Sequence, residues 1–389
     1  MKSLHASWQS VGLMLIAASA LAAPGLSFRG LGLLAGTDQC SPAALSGDGS
    51  VVIGTCSPSD ESTIQPFRWD AVRGLQGLEI PQGETECIGL SISGDGAFAA
   101  GTCDSGGTER DAFRWDAANG MQELGVLAGT VQSVANAVTR DGAVIVGESD
   151  SADFSTTKAL RWDVGNGLQD LGSLSGLPIC SAAAVSTDGS FVAGTCKSSD
   201  SASAEAFRWD ATSGMMHGLG APPGRTRSHG HYESEDGTIA IGDAYAGDGT
   251  EETFRWDVAN GIAGLGLLPG LDTCYTTSTS GDGSLVTGIC SDTGAQLPDE
   301  VFVWDAQDGM RDLQSVVVAE GNDLTGWRLT FPIVSADGRS FAGAGIHMGH
   351  YETWVAPEAS ASGDCLAAVV WLSLLACRAP GRGPARTSR

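Results

Sequence analysis

Between Cys40 and Cys56, two runs of small and β-branched residues flank the turn Gly47-Asp48-Gly49, the pattern of a β-hairpin. A three-residue loop ending in a left-handed glycine pairs 46 with 50, 44 with 52 and 40 with 56. A second hairpin follows, Pro66-Phe67-Arg68-Trp69-Asp70 against Leu75-Gln76-Gly77-Leu78, with Gly74 ending the turn. Strand period two sets Phe67 and Trp69 on one face, Arg68 and Asp70 on the other. The expected division of labour has Trp in the core, Asp stabilising the turn and Arg paired with a carboxylate.

This four-stranded unit recurs. Its tryptophan returns at Trp69, Trp115, Trp162, Trp209, Trp256, Trp304 and Trp354, and its Ser/Thr-x-Asp-Gly aspartate at Asp48, Asp95, Asp141, Asp188, Asp236, Asp282 and Asp337. Phe-Arg-Trp-Asp repeats at 113–116, 207–210 and 254–257, becomes Leu160-Arg161-Trp162-Asp163 in one copy, and has Val303 in place of arginine in another. Seven all-β units at a spacing of 46 to 55 residues read as the blades of a β-propeller. The expected fold is therefore an all-β, seven-bladed propeller of four-stranded blades over residues 24–357. Phe28 to Leu33 has the sequence of a fourth strand, whereas the last copy stops after its third, Tyr351 to Val355. A ring whose N-terminal strand completes the last blade leaves no open sheet edge. A straight β-solenoid needs no such offset.

The cysteines test the register. Eight of ten form four pairs of equal spacing, Cys40/Cys56, Cys87/Cys103, Cys180/Cys196 and Cys274/Cys290, each straddling a turn aspartate. Repeats three, five and seven lack both members, with Ser133/Ser149, Ser228/Ala244 and Leu329/Gly345 there. Joint presence or absence is what a disulfide within each repeat predicts, and the hairpin brings the partners opposite one another at Cα separations of roughly 4.5 to 5.5 Å. Metal thiolates would show a closer Cys-x-x-Cys spacing.

The units Leu-Gly-x-Leu-x-Gly, Ser/Thr-x-Asp-Gly-x-x-x-x-Gly and Phe-Arg-Trp-Asp-x-x-x-Gly-Met-x-x-Leu-Gly resemble the HAF family of extracellular repeats, over roughly residues 28 to 357. The segment Gly321-Asn322-Asp323-Leu324-Thr325-Gly326-Trp327 resembles the closing repeat of that family. The resemblance implies an exported bacterial repeat protein and carries no catalytic residues. Likeness to Trp-Asp repeats lacks their Gly-His, and likeness to the sialidase Asp-box has its glycine displaced.

Charge narrows the partners. With 21 Lys plus Arg against 46 Asp plus Glu, the net charge of −25 disfavours a phosphate backbone and so a nucleic-acid partner. The expected partner is an extracellular ligand, a glycan or a protein, bound by a monomer. Residues 1–23 read as a secretory signal peptide: Lys2, an apolar run from Val11 to Leu21, then small residues. Residues 358–389 form a tail in which Cys365, an apolar run to Ala376 and four arginines resemble a bacterial sorting signal, with Cys365 as the processed or anchored position and surface anchoring at the membrane as its consequence. The apolar run is shorter than a spanning helix of ~20 residues.

No nucleophile elbow, zinc-protease helix or phosphate-binding Gly-Lys loop appears, so no catalytic residue and no cofactor is nominated. The one local departure from the repeat is Ser228-His229-Gly230-His231-Tyr232-Glu233, which period two arranges with His229, His231 and Glu233 on one face. These are a hydrogen-bonded strand lining a pore or, alternatively, ligands for a divalent metal. The expected function is an exported or cell-surface binding scaffold without chemistry of its own; the alternative is an extracellular polysaccharide hydrolase or lyase at the propeller mouth.

Overall fold

The computed structural model describes residues 29–60, 63–104, 110–294 and 299–356. The expected signal peptide, the sorting tail and Cys365 lie outside them. Repeats two to six each form one antiparallel four-stranded sheet; the first repeat and the last share one eight-stranded sheet. In that sheet the two-residue strand Arg29–Gly30 pairs antiparallel with the last strand, His350–Ala356, Arg29 opposite Val355 and Gly30 opposite Trp354. The first strand of repeat one, Gln39–Leu45, meets the same last strand through a single parallel bridge, Gln39 to Tyr351. Among the described residues one short helix, Leu313–Ala319, interrupts the all-β pattern; Asp312 caps it by accepting from the backbone N–H groups of Gln314 and Ser315, and Leu313 and Val317 are buried.

The Ser/Thr-x-Asp-Gly motif is a turn lock. Ser46 Oγ donates to Asp48 Oδ1 at 2.9 Å, Asp48 accepts from Ser50 N–H, and Ser46 Oγ accepts from Val51 N–H. Gly49 closes the turn at φ 68°, where a side chain is costly. Ser46 thus pairs with Val51, and the loop holds four residues rather than the expected three. Leu45 pairs with Val52 and Ala44 with Ile53; then a β-bulge between Pro42 and Ala44 takes up the extra residue, and Cys40 faces Cys56. The expected cysteine register holds because two offsets cancel. The same bulge recurs in the first hairpins of repeats two to six, and in repeat seven the irregularity spreads over Thr330 to Ile333.

All four expected disulfides are present. Cys40–Cys56, Cys87–Cys103 and Cys180–Cys196 have Cα separations of 4.1 Å, and Cys274–Cys290 of 4.0 Å. The spacing corrects the expectation: each pair stands closer than the roughly 4.5 to 5.5 Å of a cross-strand pair. The bridges also make contacts beyond their own strands. Cys103 Sγ lies 3.8 Å from Met121 Sδ, Cys290 Sγ 3.7 Å from Met310 Sδ, and Cys196 Sγ 3.4 Å from Met216 Sδ. A disulfide sulfur has no hydrogen to donate, so these are packing contacts between polarizable atoms rather than hydrogen bonds. Cys103, Cys196 and Cys290 therefore join their staples to the methionines of the fourth strands, a role the cysteine spacing did not foretell.

Where disulfides are missing, serine does different work. Ser133 Oγ accepts from Ala112 N–H and donates to the Gly125 carbonyl, and Ser228 likewise receives Ala206 N–H and donates to the Gly220 carbonyl. Each buried serine latches its repeat to the one before, replacing a staple within a sheet by a bond between sheets.

The core differs from expectation in one respect. Phe67, Phe113, Phe207, Phe254 and Phe302 are fully buried, whereas Trp115, Trp162, Trp256 and Trp304 keep some exposure. Phenylalanine is the more uniformly buried anchor, while Trp69, Trp209 and Trp354 are buried as expected. Arginine pairs as expected with the aspartate two residues on, Arg68 with Asp70, Arg114 with Asp116, Arg161 with Asp163 and Arg255 with Asp257. In repeat six, Arg311 on the neighbouring strand, opposite Val303, reaches Asp305 instead.

Adjacent turns are hydrogen-bonded to one another. Gly47 N–H donates to Gly94, Gly94 to Arg140, Thr187 to Glu235, Glu235 to Gly281, Gly281 to Ala336, and Asp337 back to Gly47 at 3.1 Å. The Arg140 guanidinium reaches past the fourth turn to Glu235 at 3.2 Å. Small residues permit this approach: a Cβ on Gly94 would stand 2.3 Å from the Arg140 side chain.

Candidate functional site

The bulge decides what the fifth repeat does with its unusual residues. His231 is the extra residue of the strand Arg227–Glu233: Gly230 pairs with Gly242 and Tyr232 with Ile241. Alternation therefore changes phase at 231, and Glu233 turns to the face opposite His229. The single-face arrangement of His229, His231 and Glu233 is not formed. Among the described residues no group of three or more His, Cys, Asp or Glu is arranged to hold a metal ion.

Glu233 goes to a neighbour instead. Its side chain is fully buried and accepts from Arg208 Nε at 3.1 Å. Leu45, Ile92, Val138, Val185, Thr279 and Val334 hold the corresponding places, so this carboxylate stands where other repeats are mostly apolar. Burial pushes its pKa up to about 8 despite the arginine. Arg208 in turn forsakes the usual aspartate and binds Glu233 and the Gly237 carbonyl, fastening repeat four to repeat five.

His229 and His231 remain near one another, with ring centroids 6.3 Å apart, and a residue that sequence reasoning missed joins them. Asp243, 3% exposed, places Oδ2 3.2 Å from His231 Nε2. Its Oδ1 accepts from the backbone N–H and hydroxyl of Thr276, each at 2.9 Å, and from Thr253 at 3.3 Å. Burial disfavours the charged form of His231, but the hydrogen bond and charge of Asp243 outweigh it and hold the pKa above its ordinary value. Burial and the proximity of His231 lower His229 to about 4. One imidazole is thus held towards the cation and its neighbour neutral.

Tyr245 extends the cluster. Its ring lies 5.0 Å from His229, with the Arg227 guanidinium 5.4 Å from its centroid. Burial and a hydrogen bond to Glu251 raise the phenol, and burial raises Glu251. The missed signal was a position: Thr55, Thr102 and Thr195 precede the second cysteine in repeats one, two and four, whereas cysteine-free repeats three and five carry Glu148 and Asp243 there. Burial raises the Glu148 pKa as well, with Ser181 hydrogen-bonding to it.

His229 also lines a cavity of about 370 Å³ with Glu148, Asp150, Phe154, Thr195 and Lys197, contributed by repeats three, four and five. A larger groove of about 1070 Å³ includes Arg68, Arg114, Trp115 and Asn119, residues of the recurring packing pattern. The smaller cavity is where the repeats differ. His347, by contrast, stacks on Trp327 at 4.5 Å and faces Glu352.

No family model matches this chain, and no curated protein matches it by sequence. Solved structures do. An oligogalacturonate lyase in complex with manganese is 14% identical with a TM-score of 0.54, over 86% of this chain and 98% of that one. An oligogalacturonate lyase from Vibrio parahaemolyticus is 12% identical with a TM-score of 0.56, over 86% and 97%. The β-propeller domain of the trilobed protease from Pyrococcus furiosus is 10% identical with a TM-score of 0.53, over 82% and 94%. At such identities the likeness is one of fold: the chain is all-β and propeller-like, built mainly of four-stranded sheets. Its disulfides indicate a non-cytoplasmic, oxidising location. None of its described helices is long and apolar enough to cross a membrane.

Proposed function

We propose that this protein is an exported member of the HAF repeats, a seven-bladed ring that serves as a binding scaffold and takes its ligand at a channel mouth between repeats three and five. Pairing of Arg29–Gly30 with the last strand, and the hydrogen bond from the last turn to the first, support closure by the N-terminal strand. The observation that carries the binding reading is the convergence of Glu148, Lys197 and His229 on one cavity, with His231, Asp243 and Tyr245 beside it. Elsewhere the recurring polar groups are consumed by their own turns and Arg–Asp pairs. Export by a Sec-type signal and surface anchoring through Cys365 belong to the same reading.

The test is a screen of immobilised glycans and basic proteins with the purified chain and its His229→Ala variant. Binding that the variant loses while keeping its thermal transition supports the scaffold; equal binding by both refutes the site. A second reading, hydrolysis or lysis of an extracellular polysaccharide, is favoured by the opposed protonation tendencies of His229 and His231, which supply an acceptor and a donor side by side. Turnover of a polysaccharide by the wild type, abolished in His231→Ala, would replace the scaffold reading by this one.

A further inference from the structure

The cavity between repeats three and five contains a side chain that folding does not require. Phe154 lies in the turn Ser151 to Thr156, 58% exposed, with φ at 55°. The left-handed region suits glycine, and a bulky residue there is unusual. The turn itself is ordinary: Ser151 Oγ donates to Asp153, Asp153 accepts from Ser155 N–H, and Phe154 N–H donates to the Ser151 carbonyl. Repeat four builds the same turn, with Ser198 on Asp200 and Ser201 N–H on the Ser198 carbonyl, and places Ser201 at φ 56°. Repeat five has Gly249 at φ 90° in the corresponding place. The left-handed position therefore belongs to the turn, and serine or glycine fills it; phenylalanine adds only an exposed ring at the cavity wall.

Around that ring the cavity is polar. Glu148 and Asp150 supply carboxyl oxygens, Lys197 an ammonium and His229 an imidazole held neutral by burial, while Ser181, bonded to Glu148, and Thr195, accepting from Gly230 N–H, supply hydroxyls. Asp150 already accepts from Thr157 at 2.6 Å, which fixes its orientation. An apolar ring flanked by acceptors, hydroxyls and one ammonium donor suits a pyranose or furanose, whose C–H face covers the aromatic ring while its hydroxyls bond at the edges. The volume of about 370 Å³ falls among small-ligand sites, which span roughly 300 to 1,000 Å³. Two carboxyls against the one Lys197 ammonium in the cavity, together with a net charge of −25, work against an anionic sugar.

We infer that the cavity bounded by Phe154, Glu148, Asp150 and His229 is a subsite for an uncharged saccharide, with Phe154 as its stacking platform. The inference rests on the binding reading above and makes the ligand class specific. Its test is calorimetric titration of the purified chain with cello-, xylo-, manno- and galacto-tetrasaccharides, and with tetragalacturonate as the anionic comparison. At least one neutral tetrasaccharide is expected to bind, more tightly than tetragalacturonate. Phe154→Ala is expected to weaken that binding at least tenfold with an unchanged melting transition, and Phe154→Trp to retain it. Binding untouched by Phe154→Ala overturns the subsite, as does preference for tetragalacturonate. Failure of every saccharide alongside His229-dependent capture of a basic protein overturns the ligand class alone; absence of both also removes the scaffold reading.

Discussion

Replacing Asp243 by asparagine isolates the interaction around which the fifth repeat is organised. The amide keeps the shape of the carboxylate, and its oxygen can still accept from Thr276 N–H, now 2.9 Å from Oδ1. What disappears is the charge opposite His231 Nε2, 3.2 Å away. Hydrogen bonds to charged groups contribute about 1.5 to 3 kcal/mol. The His231 side chain is 37% exposed, so solvent screening discounts this to about 1 to 2 kcal/mol. Asp243 raises the folded pKa of His231 above its unfolded value, so the stabilisation is complete below that unfolded value and is lost as pH rises through the folded pKa. Above it the imidazole is neutral, and the asparagine N–H can donate to Nε2. Urea unfolding under non-reducing conditions should therefore show a destabilisation of about 1 to 2 kcal/mol at pH 6 that narrows to about 0.5 kcal/mol or less at pH 9. The His231 ring-proton titration followed by NMR should move to lower pH in the variant. An equal stability gap at both pH values, or an unmoved titration, would refute the assigned ion pair.

Other parts of the molecule make separate demands. Arg208→Ala should cost about 3 to 5 kcal/mol in urea unfolding at pH 9, because it leaves a buried carboxylate unpaired. Glu233 has a folded pKa raised to about 8, so the cost of its charge recedes as pH falls through that value; the loss should shrink by pH 5, and Arg208→Ala/Glu233→Val should recover part of it. Replacing Cys180 and Cys196 by serine opens a link with a sequence separation of 16 and should lower the unfolding free energy by about 3 kcal/mol, measured by denaturant titration without reductant. Gly194→Ala should destabilise by about 1 to 3 kcal/mol or more, since its Cβ would lie 2.2 Å from the Ser181 carbonyl and 2.7 Å from the Phe207 ring; an unchanged thermal transition would refute that crowding.

The repeating β unit, its second hairpin and the cysteine pairs are legible along the chain, because they depend on local alternation and on turn chemistry recurring in each copy. Ser46, Asp48 and Gly49 specify their own hydrogen bonds within a few residues, and Phe67, Arg68, Trp69 and Asp70 sort themselves by strand period alone. Phase was harder. A longer loop and a compensating bulge leave the ends of the hairpin in register while reversing the faces beyond the bulge, so Cys40 still meets Cys56 but Glu233 leaves His229. A bulge leaves one residue unpaired and bends its strand, and has no short sequence signature here. Only the tertiary structure set Cys103 against Met121 and Cys290 against Met310, because those contacts depend on how side chains fill the space beside each bridge. It alone also brought Asp243 to His231 and Phe154 to His229, since these residues come from different strands and, in the second case, from different repeats. Their positions along the chain record which repeats depart from the pattern; their chemistry depends on which departures fold into one place.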